Sequence, residues 1–160
     1  MKPLVSITLL SLVLGYLVLA PADPAWDAKT TDKQADAAVT GIRVSGEPGA
    51  YTFHVGLKSD DTGCEQYADW WEVVDSNGTL LYRRILAHSH VDEQPFTRSG
   101  GPVAISKEQV VIVRGHMNKA GYGSNIFKGS VSQGFTEHAA NTDFASNLES
   151  SPPLPEGCAF

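Results

Sequence analysis

His88 and His90, separated by Ser89, are the residues of this chain whose types and spacing point most directly to chemistry. On an extended strand, residues two apart project to the same side, which sets both imidazoles facing one way with their backbones about 6 to 7 Å apart. Neutral imidazole suits zinc or copper. Glu93, His116 or Asp92 could supply a further ligand, so the expected metal set is His88, His90, Glu93 and His116, with copper or zinc as the cofactor. The competing reading is structural: two histidines hydrogen-bonded at a strand end and oriented by Asp92 or Glu93.

The same stretch offers a second kind of site. Arg84, Asp92, Phe96 and Arg98 flank the histidines and would face an unidentified protein partner or small ligand. Arg83-Arg84 and Arg98 could hold an anionic ligand or pair with Asp92 and Glu93, an exposed pairing worth only about 0 to 1 kcal/mol. Tyr67, Trp70, Trp71, Tyr82 and Phe96 could line an interface, with core packing as their default role.

Enzymatic templates fit less well. An HxH followed by glutamate looks like the metal motif of cupin enzymes, but Glu93 follows His90 more closely than in cupins, and the upstream glycine and the downstream partner motif are missing. The sequence contains no GxSxG elbow and no GxxxxGK[ST] phosphate loop. Cys64 stands among Asp60, Asp61 and Glu65, which disfavour a reactive thiolate. Asp60-Asp61 lacks the spaced acidic ladder of a calcium loop and is expected to cap a loop by hydrogen bonds.

The elements that must position these residues follow a period of two. Tyr51, Phe53, Val55 and Leu57 alternate with polar neighbours from Tyr51 to Lys58, leaving His54 on the polar face. A strand over Trp70 to Asp75 turns at Ser76-Asn77-Gly78, where Asn-Gly supplies the positive φ angles of a tight hairpin, and returns from Thr79 to about His90. One of Trp70 and Trp71 is expected in the core, its neighbour half exposed or at a bulge. Pro95 opposes a regular central strand from Val91 to Arg98, and Gly100-Gly101 reads as a break before a short strand at Val103 to Ile105. The run Val110-Val111-Ile112-Val113 suits a strand buried on both faces, and Ile126 to Val131 a closing strand. Seven or so short strands with turn signals between them predict an all-β fold, an immunoglobulin or fibronectin type III-like β-sandwich; a small closed barrel is the alternative.

Composition bounds the rest. The chain has 160 residues and a formal charge of -6, enough for one domain with a real core. It has no basic run to neutralise a nucleic-acid backbone. Residues 1–22 read as a secretory signal: Lys2, an apolar stretch from Leu4 to Leu19, and Ala20-Pro21-Ala22 before Asp23. The alternative is an uncleaved membrane anchor. No cysteine follows the apolar stretch, so a bacterial lipid anchor is not expected. Residues 23–38 are expected as a linker, 39–134 as the sandwich and 135–160, with clustered prolines, as a flexible tail. Export, to periplasm or outside, would let Cys64 and Cys158 persist as a disulfide closing a long loop, worth up to about 4 to 5 kcal/mol; two independent thiols are the alternative.

Two segments, Ser59 to Val73 (SDDTGCEQYADWWEV) and Leu86 to Gly101 (LAHSHVDEQPFTRSGG), resemble those of a family of small exported bacterial proteins, over roughly Val39 to Gly123. The Glu93 to Ser99 run, EQPFTRS, carries most of that resemblance. It implies export and a β-sandwich and supplies no mechanism. In the family pattern a tryptophan stands where this chain has Cys64, which implies a disulfide peculiar to this protein. A further histidine stands near Ala120, which weakens a metal site common to the family. The expectation is a non-enzymatic exported β-sandwich that binds a partner or ligand through His88 to Arg98; the alternative is a metal-binding or cupin-like protein centred on His88 and His90.

Overall fold

Strand alternation divides this chain into two sheets that share one apolar interior. The structure is a computed structural model and describes residues 34–141 and 143–159. The expected signal and most of the expected linker lie outside those residues. The first sheet pairs β1 (Ala37–Glu47), β2 (Ala50–Ser59) and β5 (Phe96–Val103) in that order. The second runs β4 (Leu80–Ile85), β3 (Ala68–Asp75), β6 (Val111–Met117), β8 (Asn125–Ser130), β9 (Gly134–Ala139), with short β7 (Gly121–Tyr122) beside β6. All pairings are antiparallel. The two sheets pack into an all-β sandwich. The fourth strand joins the third rather than the fifth, unlike the order of an immunoglobulin constant domain.

Alternation places Tyr51, Phe53, Val55 and Leu57 of β2 in the core against Trp71 and Val73 of β3 and Val111 and Val113 of β6. All are buried, as the two-residue period predicts. Burying residues of this size typically contributes about 1.5 to 3 kcal/mol each, so this interface is what makes the two sheets one body.

Four local expectations are corrected. The return strand ends at Ile85 rather than His90: the Leu86 N–H donates to the Asp69 carbonyl and the His90 N–H to Asp61 Oδ2, so Ala87 to Gln94 forms a loop tied to side chains. Gly100 and Gly101 lie inside β5 instead of breaking it. A Cβ on Gly100 would stand 2.6 Å from the Tyr82 ring, so this glycine serves close packing. Trp70 and Trp71 are both buried. The segment expected as a flexible tail contains β9 and a 3-10 helix, Ser146–Ser150, and residues 143–159 form a strap bonded to the outer face of the second sheet, the face that carries Trp70. The strap's aperiodic sequence hid its role, because its contacts run through backbone carbonyls.

Cys64 and Cys158 form a disulfide, with 94 residues of separation and Cα atoms 5.5 Å apart. It ties the end of the strap to the loop before β3. Chain entropy gives a loop of this length up to about 4 to 5 kcal/mol. Chemical denaturation of a Cys64→Ser/Cys158→Ser chain is expected to show a loss of that order or less, with amide shifts concentrated in residues 143–159 rather than in β2.

Candidate functional site

The outward face of the second sheet carries a set of side chains that alternation selects: Trp70 and Glu72 on β3, Arg83 on β4, Arg114 and His116 on β6. Register places Glu72 opposite both Arg83 and Arg114, and Trp70 opposite His116. Arg83 donates through Nε (2.8 Å) and Nη2 (2.5 Å) to Glu72 Oε2. Arg114 Nε donates to Glu72 Oε1 at 2.8 Å. The Glu72 and Arg83 side chains are fully buried.

Two guanidinium charges face one carboxylate, and the strap supplies the remaining acceptors. Arg83 also donates to the carbonyls of Leu148 (2.7 Å), Ser151 (2.7 Å) and Pro153 (3.0 Å). Arg114 donates to those of Phe144 (2.6 Å) and Ala145 (2.9 Å). An irregular segment has carbonyls that no ladder satisfies, and buried arginines need acceptors, so each answers the other's requirement. Ala145 is held at φ 49°, a left-handed conformation that alanine adopts reluctantly, at the point where it accepts from Arg114.

An aromatic stack continues from these arginines. The Arg83 guanidinium lies 4.4 Å from the Trp70 ring, and Trp70 stacks on His116 at 3.6 Å and 9°. Tyr122 meets His116 edge-on at 5.1 Å and carries Arg114 over its ring at 3.4 Å. Burial, reinforced by the nearby Glu72 carboxylate, pushes the Tyr122 hydroxyl well above its usual pKa, so it is a neutral phenol throughout the physiological range.

His116 ends this stack and begins a groove of about 600 Å³ under the strap, bounded by the Cys64–Cys158 bridge. Asp69 Oδ1 lies 2.7 Å from His116 Nδ1, and Glu149 Oε1, on the strap, 3.7 Å from Nε2. Asp69 accepts from the Nδ1–H, and Nε2 is turned toward Glu149. Burial raises the Asp69 pKa, and the His116 hydrogen bond draws it partly back. Tyr67, Asn118 and Lys119 complete the polar wall. Asn118 is fixed in place, accepting from the Tyr67 N–H at 3.1 Å and donating to the Cys64 carbonyl at 3.3 Å. Among the described residues lining the groove, no serine or threonine is present and both cysteines are in the disulfide.

The expected site residues are divided between two places. Arg84, His88, His90 and Arg98 line one cavity of about 120 Å³. His116 belongs to the groove, so the expected ligands His88, His90, Glu93 and His116 do not converge. Among the described residues no group of three or more His, Cys, Asp or Glu side chains is arranged to hold a metal ion. Phe96 is buried and stacks on His90 at 3.8 Å, a packing role rather than a presented contact. Glu93 pairs with Arg98 at 2.7 Å on the surface, and Asp92 is exposed on the loop. The two imidazoles do meet, with ring centres 4.6 Å apart, although a loop and not a strand brings them together.

Asp61 organises that loop. Its carboxylate accepts from the Ala68 N–H (2.8 Å) and the His90 N–H (2.7 Å), the capping role expected of this loop. Both ring nitrogens of His90 are buried without a hydrogen-bond partner among the described residues, a condition that costs roughly 1 to 3 kcal/mol per group. Burial, then the Arg98 and His88 charges, lower the His90 pKa, while Asp61 and Glu93 oppose them. A histidine lowered below its ordinary 6.5 takes up its proton more readily when unfolded, so stability falls as pH drops below that value toward the folded pKa. Melting curves in phosphate- and sulfate-free buffer from pH 7.5 to 5.5 are expected to show a steeper loss for the native chain than for His90→Phe, in which the aromatic stack is kept and the titration removed.

Comparison with known proteins adds one relative. The chain is 40% identical over 87 residues to a protein of Halomicrobium mukohataei named "Putative lipoprotein", a match covering 54% of this chain and 43% of that protein. This chain therefore spans less than half the length of the relative it matches. No family model matches the sequence, and no solved structure matches it.

Proposed function

We propose that this chain is an exported, cell-envelope-associated β-sandwich that binds a small polar ligand in the groove beneath its strap without transforming it. The observation that carries the reading is the Asp69–His116–Glu149 alignment at the groove wall, where an oriented imidazole and two carboxylates converge. The volume falls within the range of about 300 to 1,000 Å³ typical of ligand sites. Asp69, Glu149 and Glu156 outnumber Lys119 among the charged lining residues, which favours a ligand bearing an amine or several N–H donors.

Export is supported by the leader-like residues 1–22, by the disulfide, and by the name of the relative. Both cysteines are used in that disulfide, so neither is open to lipid attachment. Periplasmic or extracellular placement, cleavage before Asp23, and an immunoglobulin or fibronectin type III-like form of the sandwich belong to the same proposal. So does kinship with the small exported bacterial proteins that share the EQPFTRS run. The groove replaces the Asp92 and Phe96 surface as the ligand site, because Phe96 is packed inside.

A thermal-shift series with spermidine, putrescine, arginine and glucosamine tests the groove. At a hundredfold excess over its Kd, a specific ligand stabilises the folded chain by about 2.7 kcal/mol, a rise of several degrees in Tm. At least one amine is expected to raise the native Tm by about 3 °C or more and to lose that effect in Glu149→Gln and His116→Gln. Shifts of equal size in all three proteins, or none across the series, would refute the assignment.

A further inference from the structure

The cavity beside the β4–β5 loop is walled by four nitrogen-bearing side chains that sequence spacing alone does not bring together. Arg84 comes from β4, His88 and His90 from the loop, and Arg98 from β5. We propose that Arg84, His88, His90 and Arg98 form a binding site for a small free oxyanion of the phosphate or sulfate type.

Three observations converge on that chemistry. First, Arg84, an exposed residue of β4, lines the cavity and makes no hydrogen bond or ion pair with a described residue. Two carboxylates stand nearby but neither lines the cavity. Glu93 is engaged by Arg98, and Asp61 by the N–H groups of Ala68 and His90; Asp61 Oδ2 also stands 3.9 Å from His90 Nδ1, an ion-pair distance beyond hydrogen-bond reach. Arg84 is thus a cation whose counter-ion the described protein does not supply.

Second, His90 is 3% exposed, and its two ring nitrogens have no hydrogen-bond partner among the described residues. The ring is pinned between Phe96 and His88, and its backbone is held at both ends: the N–H by Asp61, the carbonyl by Gln94 Nε2 at 3.0 Å. A buried imidazole held this firmly and left unsatisfied needs an external partner, and a neutral imidazole always offers one N–H donor.

Third, size and charge favour a small anion. The cavity is small, about 120 Å³, which suits one oxyanion. A transition metal, the other occupant that two histidines suggest, would sit beside two guanidinium groups that repel it. The chain as a whole is acidic, at -6, so a cationic recess is set against its long-range field and must act by short-range contact. Planar guanidinium groups suit that role, because each presents a fork of donors matched to a tetrahedral oxyanion.

Calorimetric titration of the full disulfide-bonded chain in chloride buffer tests this. Sodium phosphate and sodium sulfate are the probes, and vesicles of phosphatidylglycerol or phosphatidylcholine form a separate arm. One-to-one saturable binding of an oxyanion is expected, with amide and imidazole shifts at Arg84, His88, His90 and Arg98. Arg84→Gln, an exposed strand position that the fold does not rely on, is expected to weaken it at least tenfold. Lys107→Gln, an exposed lysine outside the cavity, should leave it unchanged. Equal affinity in all three proteins, shifts located elsewhere, no saturation with either oxyanion, or binding only to anionic vesicles would each overturn the proposal.

Discussion

Glu72 stands between two arginines on the outward face of the second sheet, with its side chain fully buried. Removing a carboxylate from water is expensive, and a buried ion pair often does little better than break even against apolar packing. What Glu72 does here is fix two guanidinium groups whose unused donors all point the same way, at the strap. Five strap carbonyls accept from them. Deleting the carboxylate would leave two buried charges unpaired, a change that in other buried pairs costs about 3 to 5 kcal/mol.

The remaining architecture of the site follows from that attachment. A strap held down at Phe144 to Pro153 carries Glu149 to within 3.7 Å of His116 and delivers Cys158 to Cys64. It also covers Trp70, which would otherwise be a half-exposed aromatic on a solvent face. The groove is therefore not a feature of the sandwich alone. Its inner wall belongs to β3 and β6, and its outer wall belongs to a segment without periodicity that stays in place through side chains from those same strands.

The sandwich was legible in the sequence where periodicity spoke. The alternation in β2 and the apolar run in β6 each follow from which face is buried. The Glu72–Arg83 pairing was not read from the sequence, which set Arg83 against Asp92 and Glu93; the strand register instead puts Arg83 opposite Glu72. Arg114, 42 residues beyond Glu72, gave no local sign. Nor did the strap, whose contacts use carbonyls that every residue has. The two-histidine motif was found for a reason that does not hold, since the strand ends before it. Its members still meet because Asp61, read only as a loop cap, draws His90 inward.

Hydrogen exchange at the strap amides of Leu148, Ser151 and Ala159, each of which donates to a backbone carbonyl, measures most directly whether Glu72 is the anchor. In Glu72→Gln the strap amides should lose most of their protection while Val55 and Leu57 in β2 keep theirs. Strap protection that stayed at its native level in that variant, with the core equally intact, would contradict the account.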